Sequence, residues 1–229
     1  TSDKKENRPF LSGLFFCACF KKNKIYIETK GLIYYLCPMP RNKEFDYDEK
    51  LVTARNLFWK KGYNATTMND LVDTLAINRS SLYLAYGNKH ELFLKSLANY
   101  IQQKDNQYSE AAKKSKKPLE AIRHIILSVT ASAIQDTSCL FTNSVFEMAT
   151  TDTQVSGMLR KQTIKAIDLF EQLLNQAKED GSLKSSKEPR ALAHFLVSGL
   201  VSIYNTQILF ADSGLTKQTA EILISSINS

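Results

Sequence analysis

Apolar residues recur every three or four positions just after residue 50, at Leu51, Ala54, Leu57 and Phe58. This spacing places them on one face of a helix, because an α-helix completes a turn in about 3.6 residues. Gly62 follows them and suits the left-handed position that often ends a helix. The pattern therefore predicts a first helix from Asp46 to Lys61.

Polar capping residues mark the starts of the next three helices. Thr67, with Asp70 three residues later, resembles a capping box and predicts a short second helix. Asn78 is suited to cap a third helix, and Asn88, with Glu91 three residues later, to begin a fourth. Two short helices joined by a tight turn are thus predicted between two longer ones.

The rest of the chain continues at helical spacing, and no credible strand hairpin interrupts it. Two apolar stripes share this spacing: Leu119, Ile122, Ile125, Ile126 and Val129, and then Leu159, Ala166, Phe170, Leu173 and Ala177. Pro189 suits the first turn of a further helix, whose apolar residues cover more than one face and predict packing on two surfaces. A last helix, Leu215 to Ile227, could complete an interface with a second subunit through Ala220, Leu223, Ile224 and Ile227.

Residues 1–40 differ in character from the rest. The apolar run from Phe10 to Phe20 superficially resembles a secretory signal, but its eleven residues are too few to span a bilayer and no small-residue cleavage site follows. Residues 24–38 are rich in Ile, Tyr and Lys without a clear period of 2 or 3.6. We expect Met39 to be the natural start and residues 1–38 to be translated upstream sequence or an unstructured extension; the alternative is a genuine accessory arm.

Composition adds little beyond the class of protein. Hydrophobic residues make up 43% and charged residues 23%, as in soluble globular proteins, so no membrane association is predicted. The formal net charge is +7, but residues 1–40 hold seven Lys and Arg against three Asp and Glu, so overall charge is weak evidence for a nucleic-acid partner. Cys17, Cys19 and Cys37 precede the predicted helices, which leaves Cys139 alone in the body; this excludes a disulfide scaffold and predicts a cytoplasmic protein.

The third predicted helix begins with short polar side chains and a guanidinium: Asn78, Arg79, Ser80 and Ser81, followed by Tyr83. Such a helix end can enter the DNA major groove, where Arg reads guanine, Asn reads adenine and Ser accepts either. Lys89 lies near the start of the fourth helix, where a cation is unfavourable for the helix dipole. A phosphate partner would resolve this conflict.

These residues resemble the signature of the tetracycline-repressor (TetR) family. The matching elements are Thr66-Thr67 at the second helix, Leu82-Tyr83 in the third, and Tyr86-Gly87-Asn88-Lys89 with Leu92 at its close. The resemblance implies an all-α fold, in which residues 41–90 form a three-helix DNA-binding domain with a helix-turn-helix at 67–86. Residues 91–229 then form a larger helical domain for effector binding and dimerisation.

Two residues depart from common versions of the signature. Ala76 replaces the usual turn glycine, which predicts that φ is negative at this position. Ala85 occupies a site often taken by a polar or aromatic residue that faces DNA, so contacts near it are not predicted.

The resemblance implies a homodimer that binds a double-stranded DNA operator and usually represses transcription until a small molecule relieves it. We expect this small molecule to be apolar or amphipathic. The DNA contacts it implies are Thr67, Asn78, Arg79, Ser80, Ser81, Tyr83, Tyr86 and Lys89. Thr67 could act as an N-cap, a phosphate contact or both, and Arg79, Ser80 and Ser81 could instead form a solvated helix face. Tyr86 is equally suited to closing the core of the small domain.

Candidate effector-binding residues lie further along the chain: Cys139, Phe141, Phe146, Phe170 and His124. Cys139 resembles a cysteine that a few family members use to sense electrophiles. However, no Lys, Arg or His lies within ten residues of it to lower its pKa, which favours a structural role. The phenylalanines could equally be core residues. His124 and His194 lack a second ligand at metal spacing, so neither a metal nor a cofactor is expected.

Other classes of function find little support in the sequence. It contains no phosphate-cradling glycine loop, no HExxH and no G-x-S-x-G motif, so an enzyme is not predicted. A helical interaction protein that does not bind DNA is the alternative, but it leaves the polar start of the third helix and Lys89 unexplained.

Overall fold

The computed structural model describes residues 18–21, 24–29, 32–36, 45–136, 138–184 and 186–227. The chain forms two compact units, Thr1–Asp46 and Tyr47–Ser229.

The described residues of the first unit form three strands, β1 (Ala18–Lys21), β2 (Lys24–Thr29) and β3 (Leu32–Leu36). They pair antiparallel in the order β1-β2-β3, with Lys21 opposite Lys24 and Thr29 opposite Leu32. The structure has strands at these residues, for which the sequence predicted translated upstream sequence or an unstructured extension. They are rich in β-branched and aromatic residues, which favour strands even where apolar and polar residues do not alternate. The rest of the predicted leader, with its apolar run before residue 18, lies outside the described residues.

In the second unit the described residues form nine helices. These are α1 (Tyr47–Lys61), α2 (Met68–Leu75), α3 (Arg79–Tyr86), α4 (Lys89–Ala112), α5 (Pro118–Asp136), α6 (Leu140–Met148), α7 (Thr153–Glu179), α8 (Pro189–Phe210) and α9 (Ser213–Ser225). The all-helical fold predicted for the body of the chain is confirmed.

The predicted caps of α2, α3 and α4 are also confirmed. Thr67 and Asn88 each form a complete capping box, with Asp70 and Glu91 respectively, and the Asn78 side chain accepts a hydrogen bond from the backbone N–H of Ser81. Because each cap satisfies N–H groups that have no partner inside the helix, these short polar residues fix where each helix begins.

The turn between α2 and α3 differs from the prediction. Ala76 has φ 51° and ψ 41°, in the left-handed region, so the expectation of a negative φ is wrong. Its N–H donates to the carbonyl of Asp73, and the turn keeps the geometry that glycine ordinarily provides. Alanine at this position therefore keeps the turn intact at the cost of local strain.

The core extends without a break from the helix-turn-helix into the larger helical region. Ala54 and Phe58 of α1 are fully buried, as are Leu92 and Leu97 of α4. The helix α4 crosses the domain boundary predicted at residue 90 and packs against both α1 and α5. It is therefore a shared element of the two predicted domains.

The predicted two-sided packing of α8 is confirmed, because this helix lies against α5, α7 and α9. Its 22 residues are long and apolar enough to cross a membrane by length and composition, a property that core helices share. The apolar face predicted for α9, including Leu223 and Ile227, is buried inside the chain, at 6% and 2% exposure. It is thus not the subunit interface expected from the sequence; α9 instead exposes Ile222, at 70%.

Candidate nucleic-acid interface and ligand pocket

The helix α3 presents one face to solvent and one to the core. Arg79 and Ser80 are exposed in its first turn, and one turn later Tyr83 and Leu84 are 46% and 68% exposed. Leu82 faces the core, fully buried. Leu84 was not named from the sequence, although its position two residues after an inward leucine places it on another face of the helix.

The side chains predicted to read bases at the start of α3 differ in the hydrogen bonds that they already make within the chain. Asn78 Oδ1 accepts from the backbone N–H of Ser81 at 2.8 Å, so this oxygen serves as the cap of the helix. Arg79 Nη2 donates to Asn69 Oδ1 at 3.2 Å, which joins α3 to α2 across the turn. Ser80 is exposed and Ser81 is half-buried. Arg79 and Ser80 are therefore the polar side chains that the first turn offers most directly to a partner.

Thr67 lies at the start of α2 and is exposed. Its Oγ1 accepts from the N–H of Asp70 at 3.1 Å and donates to Asp70 Oδ2 at 2.7 Å. The same carboxylate oxygen receives a hydrogen bond from Lys61 Nζ at 2.6 Å. This hydrogen bond has the largest effect on Asp70, and together with the contacts from Thr67 it holds the pKa of Asp70 well below its usual range. The capping role of Thr67 is therefore present in the structure.

Tyr86 and Lys89 lie in different environments. Tyr86 is 3% exposed, its hydroxyl donates to the Tyr47 carbonyl at 2.7 Å, and its ring centroid lies 5.7 Å from that of Tyr47. Its environment is that of a core residue. Lys89 Nζ lies 4.2 Å from the centroid of the Tyr63 ring, whose face attracts a cation, and burial lowers the pKa of Lys89. Tyr63 is thus a partner for Lys89 that sequence reasoning missed.

The helix α6 contacts the helix-turn-helix region at its C-terminal end. Glu147 Oε2 accepts from the backbone N–H of Asn64 at 2.9 Å. The same carboxylate lies against Gly62, where φ is +81° and a Cβ atom would clash with Glu147 Oε1. Nearby in the fold, His90 Nε2 of α4 lies 2.5 Å from Oδ2 of Asp152, the N-cap of α7. Small movements of α6 or α7 would therefore act directly on the loop before α2 and on the start of α4.

A pocket of about 70 Å³ lies among α4, α6, α7 and α8. Cys139 lines it and is buried, with its Sγ 3.4 Å from the Tyr100 hydroxyl. Lys104 Nζ donates to the Tyr204 hydroxyl at 3.0 Å. Thr142, 5% exposed, also lines the pocket, and among the described residues its Oγ1 has no hydrogen-bond partner. The pocket therefore combines apolar walls with a cation, phenol groups and an unsatisfied hydroxyl.

Burial controls the charge of the polar groups in this pocket. It raises the pKa values of Tyr100, Tyr108 and Tyr204, so these phenols stay protonated at neutral pH. Burial also lowers the pKa of Lys104. The charge of Asp136 offsets this effect only in part, which is a reason for the buried cation to accept an anionic or strongly polar ligand group.

Only some of the effector-binding residues predicted from the sequence line the pocket. Cys139 and Phe141 line the pocket. Phe146 is 75% exposed on the surface of α6, Phe170 is fully buried in the core, and neither they nor the half-buried His124 is among the lining residues. Tyr100, Lys104 and Tyr108 were missed, although their spacing of four residues places them on one face of α4.

A cation near Cys139 was also missed, because Lys104 reaches the pocket from a helix 35 positions earlier in the chain. Across the described ranges, no group of three or more His, Cys, Asp and Glu side chains could hold a metal ion.

Comparison with known proteins matches this architecture. Residues 51–95 match the family model described as bacterial regulatory proteins, tetR family. The uncharacterized HTH-type transcriptional regulator YezE of Bacillus subtilis is 30% identical over 192 residues, which cover 82% of this chain and 98% of that protein. The HTH-type transcriptional repressor ComR of Escherichia coli is 26% identical over 68% of this chain and 76% of its own length.

Among solved structures, a cysteine mutant of the TetR family regulator CifR, complexed with 26bp double-strand operator DNA, is similar over 82% of this chain and 99% of that one. Its TM-score is 0.73 at 22% sequence identity, so it supports the fold. The similarity to YezE covers nearly the full length of that protein, and the family match covers the helix-turn-helix. Together they show the family as well as the fold. This chain belongs to the TetR family of helix-turn-helix transcriptional regulators and is a DNA-binding regulator.

Proposed function

We propose that this protein is a cytoplasmic, homodimeric repressor that leaves its operator when a small molecule binds among α4, α6, α7 and α8. The observation that carries the proposal is the exposed first turn of α3, which offers Arg79 and Ser80 beside Tyr83 and Leu84. A helix end of this kind fits the major groove. The relative ComR is named a repressor, and CifR is described in complex with operator DNA. The protein acts by binding rather than by catalysis.

The residues of the helix-turn-helix take different roles in this proposal. Arg79 reads a base edge, Ser80 and Ser81 contact base or backbone, and Tyr83 and Thr67 contact phosphates. Lys89 neutralises a phosphate at the start of α4, where the Tyr63 ring steadies its ammonium group. Asn78 and Tyr86 act chiefly through the fold, as the cap of α3 and as a core residue. Leu84 adds an apolar contact, suited to a thymine methyl group.

Dimerisation uses the apolar side chains that α8 and α9 leave exposed. Phe195 is 55% exposed and Leu209 is 74% exposed on α8, and Ile222 is 70% exposed on α9. Burying large apolar side chains of this kind against a symmetry mate is favourable, at about 25 cal/mol per Å² of apolar surface. A two-fold dimer places two copies of α3 on the half-sites of an approximately palindromic operator.

Release by an effector is supported by the position of α6. Its first residues, beside Cys139, line the pocket, and Glu147 near its last turn accepts from the backbone of Asn64. The pocket is small, so a ligand enters by displacing side chains and shifting α6. The ligand is apolar or amphipathic, with its polar group near Lys104 and Thr142. Coupling between such sites is typically worth about 1 to 3 kcal/mol.

The test compares Arg79→Ala and Lys89→Ala on operator and scrambled DNA across a salt series. Arg79→Ala should cost about 1 to 3 kcal/mol on the operator and little on scrambled DNA, because it removes a base contact. Lys89→Ala should weaken binding to both DNAs alike and reduce the salt slope by about one per contact. Arg160→Ala, an exposed cation on α7, is the control for general charge loss. Equal losses for Arg79→Ala on the two DNAs would mean that α3 does not read sequence.

A further inference from the structure

A second, larger cleft opens between α1, α4 and the C-terminal end of α5. Its volume is about 600 Å³, within the range of small-molecule sites. It is lined by polar residues, and α3 contributes none of them. Lys104 lines both this cleft and the apolar pocket, while Ser138 lines the cleft beside Cys139 of the pocket. The two spaces therefore adjoin at Lys104.

The cleft carries an excess of positive charge. Its lining includes the cations Arg55, Lys60 and Lys104 against the carboxylate of Asp136. Arg55 and Lys104 are partly buried, and burial lowers the pKa of each. This cost is unusual for side chains that could otherwise extend into water, so it points to a compensating partner.

Neutral groups occupy the hydrogen-bonding positions around both cations. Arg55 Nη1 donates to Asn99 Oδ1 at 2.8 Å and to Gln103 Oε1 at 2.9 Å. Lys104 Nζ donates to Gln107 Oε1 and to the Tyr204 hydroxyl, each at 3.0 Å. Within the described part of the chain, neither cation forms an ion pair with a carboxylate. Their side chains are thus held in place by neutral groups, and the carboxylate of Asp136, which raises the pKa of both cations, offsets only part of the positive charge that lines the cleft.

Trp59 supplies a second, independent observation. Its ring packs edge-on against Tyr100, with the centroids 5.1 Å apart, and it lines the same cleft as Arg55 and Lys60. The indole Nε1 is buried and has no hydrogen-bond partner among the described residues. A buried N–H donor of this kind ordinarily finds an acceptor, because leaving it unsatisfied is costly. The cations that line the same cleft favour an acceptor that is negatively charged.

We propose that this cleft is a binding site for the oxyanion group, carboxylate or phosphate, of a small molecule. Arg55 and Lys104 neutralise the anion, Trp59 Nε1–H donates a hydrogen bond to it, and Lys60 adds charge at the rim. Bound there, the anion contacts α1 of the helix-turn-helix domain together with α4 and α5, so it joins the two parts of the protein.

Trp59 makes the test direct, since it is the only tryptophan in the chain. Its fluorescence is measured while inorganic phosphate or sodium octanoate is titrated into the full-length protein without DNA, at ionic strength held constant with sodium chloride. The expected result is a saturable change with at least one probe. Saturation with phosphate alone would identify a phosphate ligand, and saturation with octanoate alone a carboxylate.

Matched variants locate the site. Arg55→Gln should weaken binding of the effective probe by about tenfold or more, because it removes a charge-assisted contact. Lys60→Gln, an exposed position that should leave the fold intact, should weaken it less, and Arg160→Gln on α7 should leave it unchanged. Trp59→Phe, followed by calorimetry, should also weaken binding. Circular dichroism checks that each variant is folded.

Two results would overturn the proposal. One is a fluorescence response to both probes no larger than that to sodium chloride. The other is unchanged affinity in folded Arg55→Gln and Lys60→Gln, which would place the anion outside this cleft. Because the titration contains no DNA, neither result bears on the proposed repressor function.

Discussion

Ala76 is predicted to be a strained residue whose replacement by glycine stabilises the protein. It holds φ 51° at the end of α2, and its side chain is exposed, so glycine would remove no buried contact. The left-handed conformation costs an L-residue about 1 to 2 kcal/mol, and glycine avoids this cost. Against this gain, glycine has more freedom to lose on folding, by about 0.4 to 1 kcal/mol. Ala76→Gly should therefore stabilise the protein by about 0.5 to 1 kcal/mol.

The assay is thermal and urea unfolding at a fixed protein concentration without DNA. For a protein of this size, the gain corresponds to a rise in Tm of about 1 to 4 °C. Ala211, with φ 49° at the end of α8, should respond to Ala211→Gly in the same direction. The matched control is Ala131→Gly at an exposed position inside α5, which should destabilise by about 1 kcal/mol. If Ala76→Gly lowered Tm as Ala131→Gly does, the turn would not have a positive φ at residue 76.

Three further predictions follow from contacts described above. Ile222→Asp, at a 70% exposed position, should give a folded monomer in sedimentation, whereas Leu223→Asp, at 6% exposure, should unfold the chain. The pKa of Asp152 is lowered chiefly by the hydrogen bond from the Val155 N–H, and also by the contact with His90. Its stabilising contribution is therefore present above about pH 4 and lost as pH falls through the lowered pKa, so urea unfolding of Asp152→Asn should approach wild type at low pH. Gly62→Ala should lower Tm, and by less in a Glu147→Ala background, because part of its cost is the clash with that carboxylate.

Local signals explain what the sequence could predict. Thr67, Asn78 and Asn88 cap their helices through atoms three residues away, so short polar residues before apolar runs were enough to locate α2, α3 and α4. The conformation of Ala76 was mispredicted, because the residue type was read as evidence about φ. The surrounding turn instead imposed a left-handed conformation on alanine.

Non-local contacts explain most of what was missed. Lys104 and Cys139 meet in the pocket only because α4 and α6 pack together. Periodicity identified an apolar face on α9, but it could not tell whether that face is buried by the same chain or by a second subunit. Leu223 is buried by the same chain. Likewise, Phe146 and Phe170 looked alike in sequence, and only packing separates a surface ring from a core ring.

The continuity of α4 has a consequence for cooperativity. Its 24 residues form a rod of about 36 Å that contributes fully buried side chains beside α1 at one end and packs on α5 at the other. Unfolding of α1, α2 and α3 would expose Leu92 and Leu97 of α4. This exposure would also weaken the packing of α4 against α5. The two parts should therefore melt in one transition, and amide protons near the start of α4 should exchange almost as slowly as those at the centre of α5. A regulator built in this way resists proteolysis at the junction that most two-domain proteins leave exposed.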